Sequence, residues 1–434
     1  MKKRKQLIIF IAAIIVIVGL AIGLQVVNGI LTDPYRDTAT EYEESLDLDE
    51  TLSESQAWQD IDYVMDMLCS CHPAWLEDDN ELAQKVEAAY AAAVSQNAGE
   101  MTVLEEWIVI SGILNELHDG HTAIYVNDSE ARYIEDYTRI AAGQLPTKID
   151  GMPINDLFSE YLKVSSYECE TYARANFYHN GIVSENVLRL CGVDTSDGAV
   201  FTFDQNGDKE TYRYDFVPLN EVHGYNGADD AEWISYEIDG KGDVAILTLR
   251  SCEYNQEYID TLKAFFDEVR TEKIKNIAVD LRYNGGGNSM VVNEFLKYID
   301  VDEYRSFPCE IRRGNTLRHH DGEKVINKKV DHPFDGCLYV LTNTQTYSSA
   351  MDFAMFVKDN RIGWIIGEAS GNMPNGYGDC LNFYTPNSKL PFCVSYKHWH
   401  RIDSNHENEP VVPDYGCSSD EAIDKLYYLC AAIE

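Results

Sequence analysis

From Trp233 onward the chain alternates short apolar strands with amphipathic stretches, and this alternation restricts the possible folds more than any other feature. Val244–Leu249 and Ile277–Leu281 read as buried strands. Between them Tyr258, Ile259, Leu262, Phe265, Phe266 and Val269 recur at helical spacing, and Val291, Val292, Phe295 and Leu296 mark a further helix. The pattern repeats with the strand Leu338–Thr342, the stripe Ala350, Phe353, Ala354 and Val357, and the strand Trp364–Gly367. Such repeats imply a largely parallel sheet with right-handed crossovers, whose ligands lie beyond the carboxyl ends of the strands.

Two loops leave strands at those ends. Arg282–Asn288 contains Gly285, Gly286 and Gly287, which let backbone N–H groups approach a substrate closely; neither GxGxxG nor a P-loop lysine is present. The turn Asn343–Tyr347 leads to Ser348 and Ser349. Ser349 is expected where strand becomes helix, with its hydroxyl beside unpaired N–H groups able to hold an oxyanion. The same residue, with Asp352 three positions on, also reads as a capping box.

Upstream, Trp58, Ile61, Met65 and Leu68 share one helical face, which His72-Pro73 interrupts. Leu82, Val86 and Ala89 mark a second helix. Thr102 and Glu105 cap a third, striped by Trp107, Ile110, Leu114 and Leu117. It ends at His118-Asp119-Gly120, and His121–Val126 reads as a strand, so His121 sits at a corner rather than inside an apolar face. Residues 127–230 are less regular. Asp150-Gly151 and Asn206-Gly207 are hairpin turns, with one helix around Tyr167–Phe177.

The formal net charge of −38 excludes nucleic acid as a partner, since phosphate binding needs clustered Lys and Arg. Lys2, Lys3, Arg4 and Lys5 precede an uncharged apolar run, Leu7–Leu24. That order predicts a single uncleaved membrane anchor with a cytoplasmic tail and an extracellular body. An acidic, polar spacer follows. The cysteines number eleven, with no spacing that fixes disulfides or a zinc motif. His319-His320 and His398-Trp399-His400 lack the spacing of a metal motif and read as surface or strand histidines; no cofactor or metal is expected.

Asp280-Leu281-Arg282, Asn284, Gly286-Gly287, Ser349-Ala350, Gly367-Glu368, Pro413-Asp414 and the corner Leu117–Thr122 occur in one order that resembles the S41 serine peptidases, the C-terminal processing and tricorn-core type. The resemblance implies an α/β fold, a ClpP/crotonase-like αβ core with an N-terminal helical region and a small β-rich, degenerate PDZ-like module. The expected layout is a basic tail and anchor (1–29), an acidic linker (30–54), a helical region (55–120), the β-rich module (121–230) and the catalytic core (231–434). Processing members of that family pair serine with a lysine, but Gly367–Gly376 contains none. The resemblance therefore implies His121 as base, supported by Glu407 with Glu409 as alternative, and an oxyanion site at Gly286 and Ala350. The expectation is a membrane-anchored serine endopeptidase acting on peptides or proteins. Its rivals are an inactive surface relative that binds peptides, suggested by the missing lysine and by Gly120 beside His121, and an acyl hydrolase acting on esters.

Overall fold

The expected alternation folds into a six-stranded sheet that carries the rest of the molecule. A computed structural model describes residues 38–432, apart from 40, 79–80, 97–98, 127–130, 206 and 226–231. The anchor expected within 1–29 lies outside the described residues. Among those described, no helix is long and apolar enough to cross a membrane.

Helices α1 (Glu54–Cys71), α2 (Glu81–Gln96) and α3 (Val103–Asn115) come first. α1 stops at His72, which the following proline forces into extended backbone (φ −74°, ψ 132°). α3 starts at the expected Thr102–Glu105 capping box. Strand β1 is only Ala123–Ile124, shorter than the run read from the sequence. Asp119 holds the preceding corner, accepting from the His121 N–H at 2.8 Å and the Thr122 hydroxyl at 2.6 Å.

The next module contains α4 (Ile154–Val164), α5 (Glu170–Asn176), β2 (Ala199–Gln205) and β3 (Asp208–Tyr214). The hairpin Lys148–Pro153 turns at Asp150 and Gly151, both left-handed with φ 46° and 78°, as an Asp-Gly turn requires. It joins β2 and β3 in one antiparallel sheet over Phe158, Phe177, Phe201 and Phe216.

The core then runs β4 (Ile234–Asp239), β5 (Val244–Leu249), α6 (Gln256–Glu272), β6 (Asn276–Asp280), α7 (Met290–Leu296), β7 (Cys309–Arg313), β8 (Thr316–His320) and β9 (Cys337–Thr342). It continues with α8 (Ser349–Asp359), β10 (Trp364–Gly367), β11 (Gly376–Tyr384), β12 (Pro391–Trp399), β13 (Tyr415–Gly416) and α9 (Ala422–Ala431). The main sheet is ordered β4-β5-β6-β9-β10-β13, with β4 antiparallel and every other pair parallel. Its central strands β5, β6 and β9 are largely apolar because both faces are covered. Ala245, Leu247, Ile277, Val279, Leu338 and Val340 pack toward α6, α7 and α8. Val244, Ile246, Ala278, Tyr339, Leu341 and Ile366 pack toward α9.

A second sheet, β8-β7-β12-β11 with β1 on β12, has no counterpart in the sequence reading. Its hairpin lays Leu381, Phe383, Phe392 and Val394 against α1 and α3. This contact carries the helical region, and hence His121, to the core.

At that contact Glu106 is fully buried beside Asp60. Burial, then the Asp60 charge, pushes its carboxyl up to about 9. The folded chain thus keeps a proton there that the unfolded chain releases above the usual carboxylate range. The associated stability is present at acid pH and is lost as pH rises toward about 9. Glu106→Gln is expected to raise the melting temperature at pH 7 by the equivalent of about 3 kcal/mol at most. The gain should shrink toward pH 5; thermal melts across that range check it.

Candidate functional site

The turn after β9 is fixed by its own polar atoms. Thr346 donates its N–H to Asn343 O at 2.9 Å and its hydroxyl to Leu281 O at 2.9 Å. Tyr347 N–H bonds Asn284 O at 2.9 Å, and Tyr283 N–H bonds Asn343 Oδ1 at 3.0 Å. The turn is therefore sewn to the glycine loop after β6. Ser348 follows with φ 52° and ψ −126°, outside ordinary backbone regions for a side chain of its kind. It occupies the cap position of α8, yet its side chain makes no cap hydrogen bond.

That hydroxyl lies 3.0 Å from His121 Nε2. Ser349 is the first residue of α8, only 6 % exposed, and its hydroxyl donates to Gly287 O at 2.8 Å. The expectation that Ser349 meets His121 is corrected by one position. Four residues before Phe353, Ser349 falls on the helix's buried face, whereas the left-handed turn swings Ser348 into the cleft.

Glu407 does not meet His121 either. The loop Ser404–Pro410 wraps Arg401, whose guanidinium binds Asp359 and the carbonyls of His406, Glu409 and Pro410. Asp359 ends α8 and Ser348 caps its start, so about 16 Å of helix separates that loop from the serine. Glu407 is exposed, and Glu409 pairs with His406 at 3.1 Å.

The carboxylates beside His121 are Glu168 and Asp119, with oxygens 3.6 Å and 3.9 Å from Nδ1. Glu168, just before α5, was not singled out from the sequence. It is one of 73 acidic residues and lies in the least regular segment. Met373 N–H donates to it at 2.8 Å and the Tyr347 hydroxyl at 3.3 Å. Burial pulls the His121 pKa down, but Glu168 and then Asp119 outweigh it and raise it to about 9. Burial in turn pushes Glu168 up, against the pull of His121. Asp119 stays low despite burial, because His72, His121 and Thr122 all favour its charge. A side chain at Gly120 would meet the Tyr347 hydroxyl, so tyrosine fills the space beside the histidine corner.

The two N–H groups expected to hold an oxyanion are not free. Gly286 N–H donates to Asn284 Oδ1 at 2.8 Å and Ala350 N–H to Tyr347 O at 3.1 Å, so both are engaged. The neighbouring N–H groups of Gly287 and Ser349 flank Ser348 and have no acceptor among the described residues. Gly286 keeps this space open: at φ 101°, a Cβ there would come within 2.6 Å of Ser348 Cβ and 3.0 Å of Ser349 N. His121, Ser348, Asp352, Met373, Tyr377 and Trp399 line the narrow cleft, of about 30 Å³. Burial raises the Asp352 carboxyl to about 7.

Other motif residues act as staples. Asp280 binds Arg250 and Arg282 at 3.0 and 2.8 Å, Glu368 accepts from Thr344 N and Ser419 N at 3.2 Å each, and Asp414 holds Lys358 and the Ile365 N–H.

Residues 243–415 match the model of peptidase family S41. Among solved structures, the chain is similar to mature CPAF in complex with lactacystin, at a TM-score of 0.61 and 14% identity over 87% of this chain and 97% of that one. A second structure of mature CPAF gives 0.61 and 13%, over 87% and 96%. A protein of Parabacteroides merdae ATCC 43184 gives 0.51 and 14%, over 88% and 98%. At these identities the likeness speaks for the fold.

A protonated His121 accepts no proton, so Ser348 reactivity should climb as pH rises toward about 9. Glu168→Gln is expected to move the inflection to lower pH while reducing the plateau by roughly a hundredfold or more. The pH profile of fluorophosphonate labelling reads both; an inflection unmoved by Glu168→Gln would remove this carboxylate from the assignment.

Proposed function

We propose that this chain, whose residues 243–415 match the model of peptidase family S41, hydrolyses peptide bonds with Ser348 as nucleophile and His121 as base. The observation that carries the assignment is the 3.0 Å contact between His121 Nε2 and Ser348 Oγ at a strained strand-to-helix turn. A serine hydroxyl attacks poorly until a base takes its proton. His121 Nε2 receives that proton as Ser348 Oγ bonds to the scissile carbonyl carbon. Negative charge moves to the carbonyl oxygen, which the Gly287 and Ser349 N–H groups hold. Glu168, with Asp119 behind it, stabilises the imidazolium on its Nδ1 side. The imidazolium then protonates the leaving amine, and water releases the acyl group by the same steps in reverse roles.

The inactive peptide-binding alternative drew on the missing lysine and on Gly120. A histidine already on the serine replaces the lysine's task, and the Tyr347 hydroxyl occupies the place beside Gly120. The basic residues before Leu7–Leu24 favour a single-pass anchor holding this body outside the cell membrane. Accessibility of the folded domain to an impermeant amine label on intact cells tests that topology.

Ser348→Ala is expected to reduce peptide hydrolysis by about a thousandfold or more and to abolish fluorophosphonate labelling, with the fold intact. Ser349→Ala should retain labelling at Ser348. Activity surviving Ser348→Ala but lost in Ser349→Ala would reverse the assignment. A wild-type protein inert to the probe yet binding peptides would restore the inactive alternative.

A further inference from the structure

Beside the cleft, three strands align a second set of ionisable side chains. Glu310 on β7 stands directly opposite His398 on β12 and His319 on β8. His400, two residues beyond His398, turns back to the same face, with its ring centroid 4.4 Å from that of His398. One ligand atom from each of Glu310, His398 and His400 lies within 4.8 Å of the others.

The hydrogen bonds around these rings decide what they can bind. His400 Nδ1 faces Asn375 Oδ1 at 2.8 Å, which can only accept, so Nδ1 carries the proton. Nε2 is then the ring atom left to bind, and it faces the Glu310 carboxylate. Two acceptors that face each other need a proton or a metal ion to join them. His398 repeats the arrangement: its Nδ1 is held at 2.7 Å by Glu77 Oε1, while Tyr377 donates to Glu77 Oε2 at 2.9 Å. His319 Nδ1 contacts the other Glu310 oxygen at 3.0 Å. Imidazoles with Nδ1 committed to an oxygen acceptor and Nε2 left as a lone pair are the usual form of metal-ligating histidines.

We propose that Glu310, His398 and His400 form a site for a divalent transition metal of the zinc class, with water completing the coordination. Two imidazoles and a carboxylate suit such an ion better than magnesium or calcium, which prefer all-oxygen sets. Binding displaces any proton shared between His400 and Glu310. The ion ties β7 to the end of β12. Asn375, bonded to His400, immediately precedes Gly376 and Tyr377 of the cleft wall, so the metal steadies that wall without touching Ser348.

Metal-free protein dialysed against limiting Zn²⁺ and assayed by elemental analysis tests the site. The wild type should retain one equivalent more than His398→Ala/His400→Ala, and Glu310→Gln should weaken its retention at least tenfold. Taking the difference removes contributions from thiols and from the Asp119–His121–Glu168 cluster. Zn²⁺ should raise the melting temperature of the wild type and leave that of the double variant unchanged; metal-free melts and circular dichroism confirm that the variants fold. Equal zinc content in the two proteins, or a wild type that keeps none at this site, would overturn the proposal.

Discussion

The hydrogen bond between His121 and Ser348 joins residues 227 positions apart, and nearly every large feature of the fold is needed to make it. The serine needs the parallel sheet, whose strand β9 delivers it at a carboxyl end. The histidine needs the helical region to rest on the second sheet, where β1 pairs with β12 through Ala123–Cys393 and Ile124–Phe392. Glu168 needs the module between them to dock at α5. The contact is a result of packing in three separate cores rather than a local motif.

Backbone strain at Ser348 is the second constraint. A residue held at φ 52° and ψ −126° costs about 1–3 kcal/mol and persists only where neighbours dictate it. Here Asn372 Oδ1 accepts the Ser348 N–H at 2.8 Å, and Tyr347 is tied to Asn284 on the residue before. The strained turn takes the hydroxyl out of its capping role, so it is free to face an imidazole. It also leaves the following N–H without an acceptor among the described residues. One distortion therefore presents both a hydroxyl and a backbone N–H to the cleft.

Much of this was readable in the sequence. Continuous apolar runs marked β5, β6, β9 and β10 because both sheet faces are buried, and the Thr102–Glu105 box and the Asp-Gly turn encode their own local geometry. The His121 corner was legible because a histidine after Asp-Gly cannot belong to an apolar face. Adjacent serines were not separable by residue type. The helical register, with Ser349 four residues before buried Phe353, held the distinguishing signal. Glu168 and the β11–β12 hairpin were hidden for another reason. Their roles come from long-range pairing, and neither periodicity nor turn chemistry in their own segments reports it. Glu407 was carried by resemblance onto a loop that Arg401 anchors at the wrong end of α8.

The docking of Glu168 bears on how such a fold could be reused. The segment matched to the family, 243–415, contains Ser348 and the N–H groups around it, but His121 and Glu168 come from upstream chain. Grafting that segment into another host would transplant the serine turn without the imidazole and carboxylate that pack against it. Whoever inherits the core must also inherit, or reinvent, the two upstream units that reach back to it.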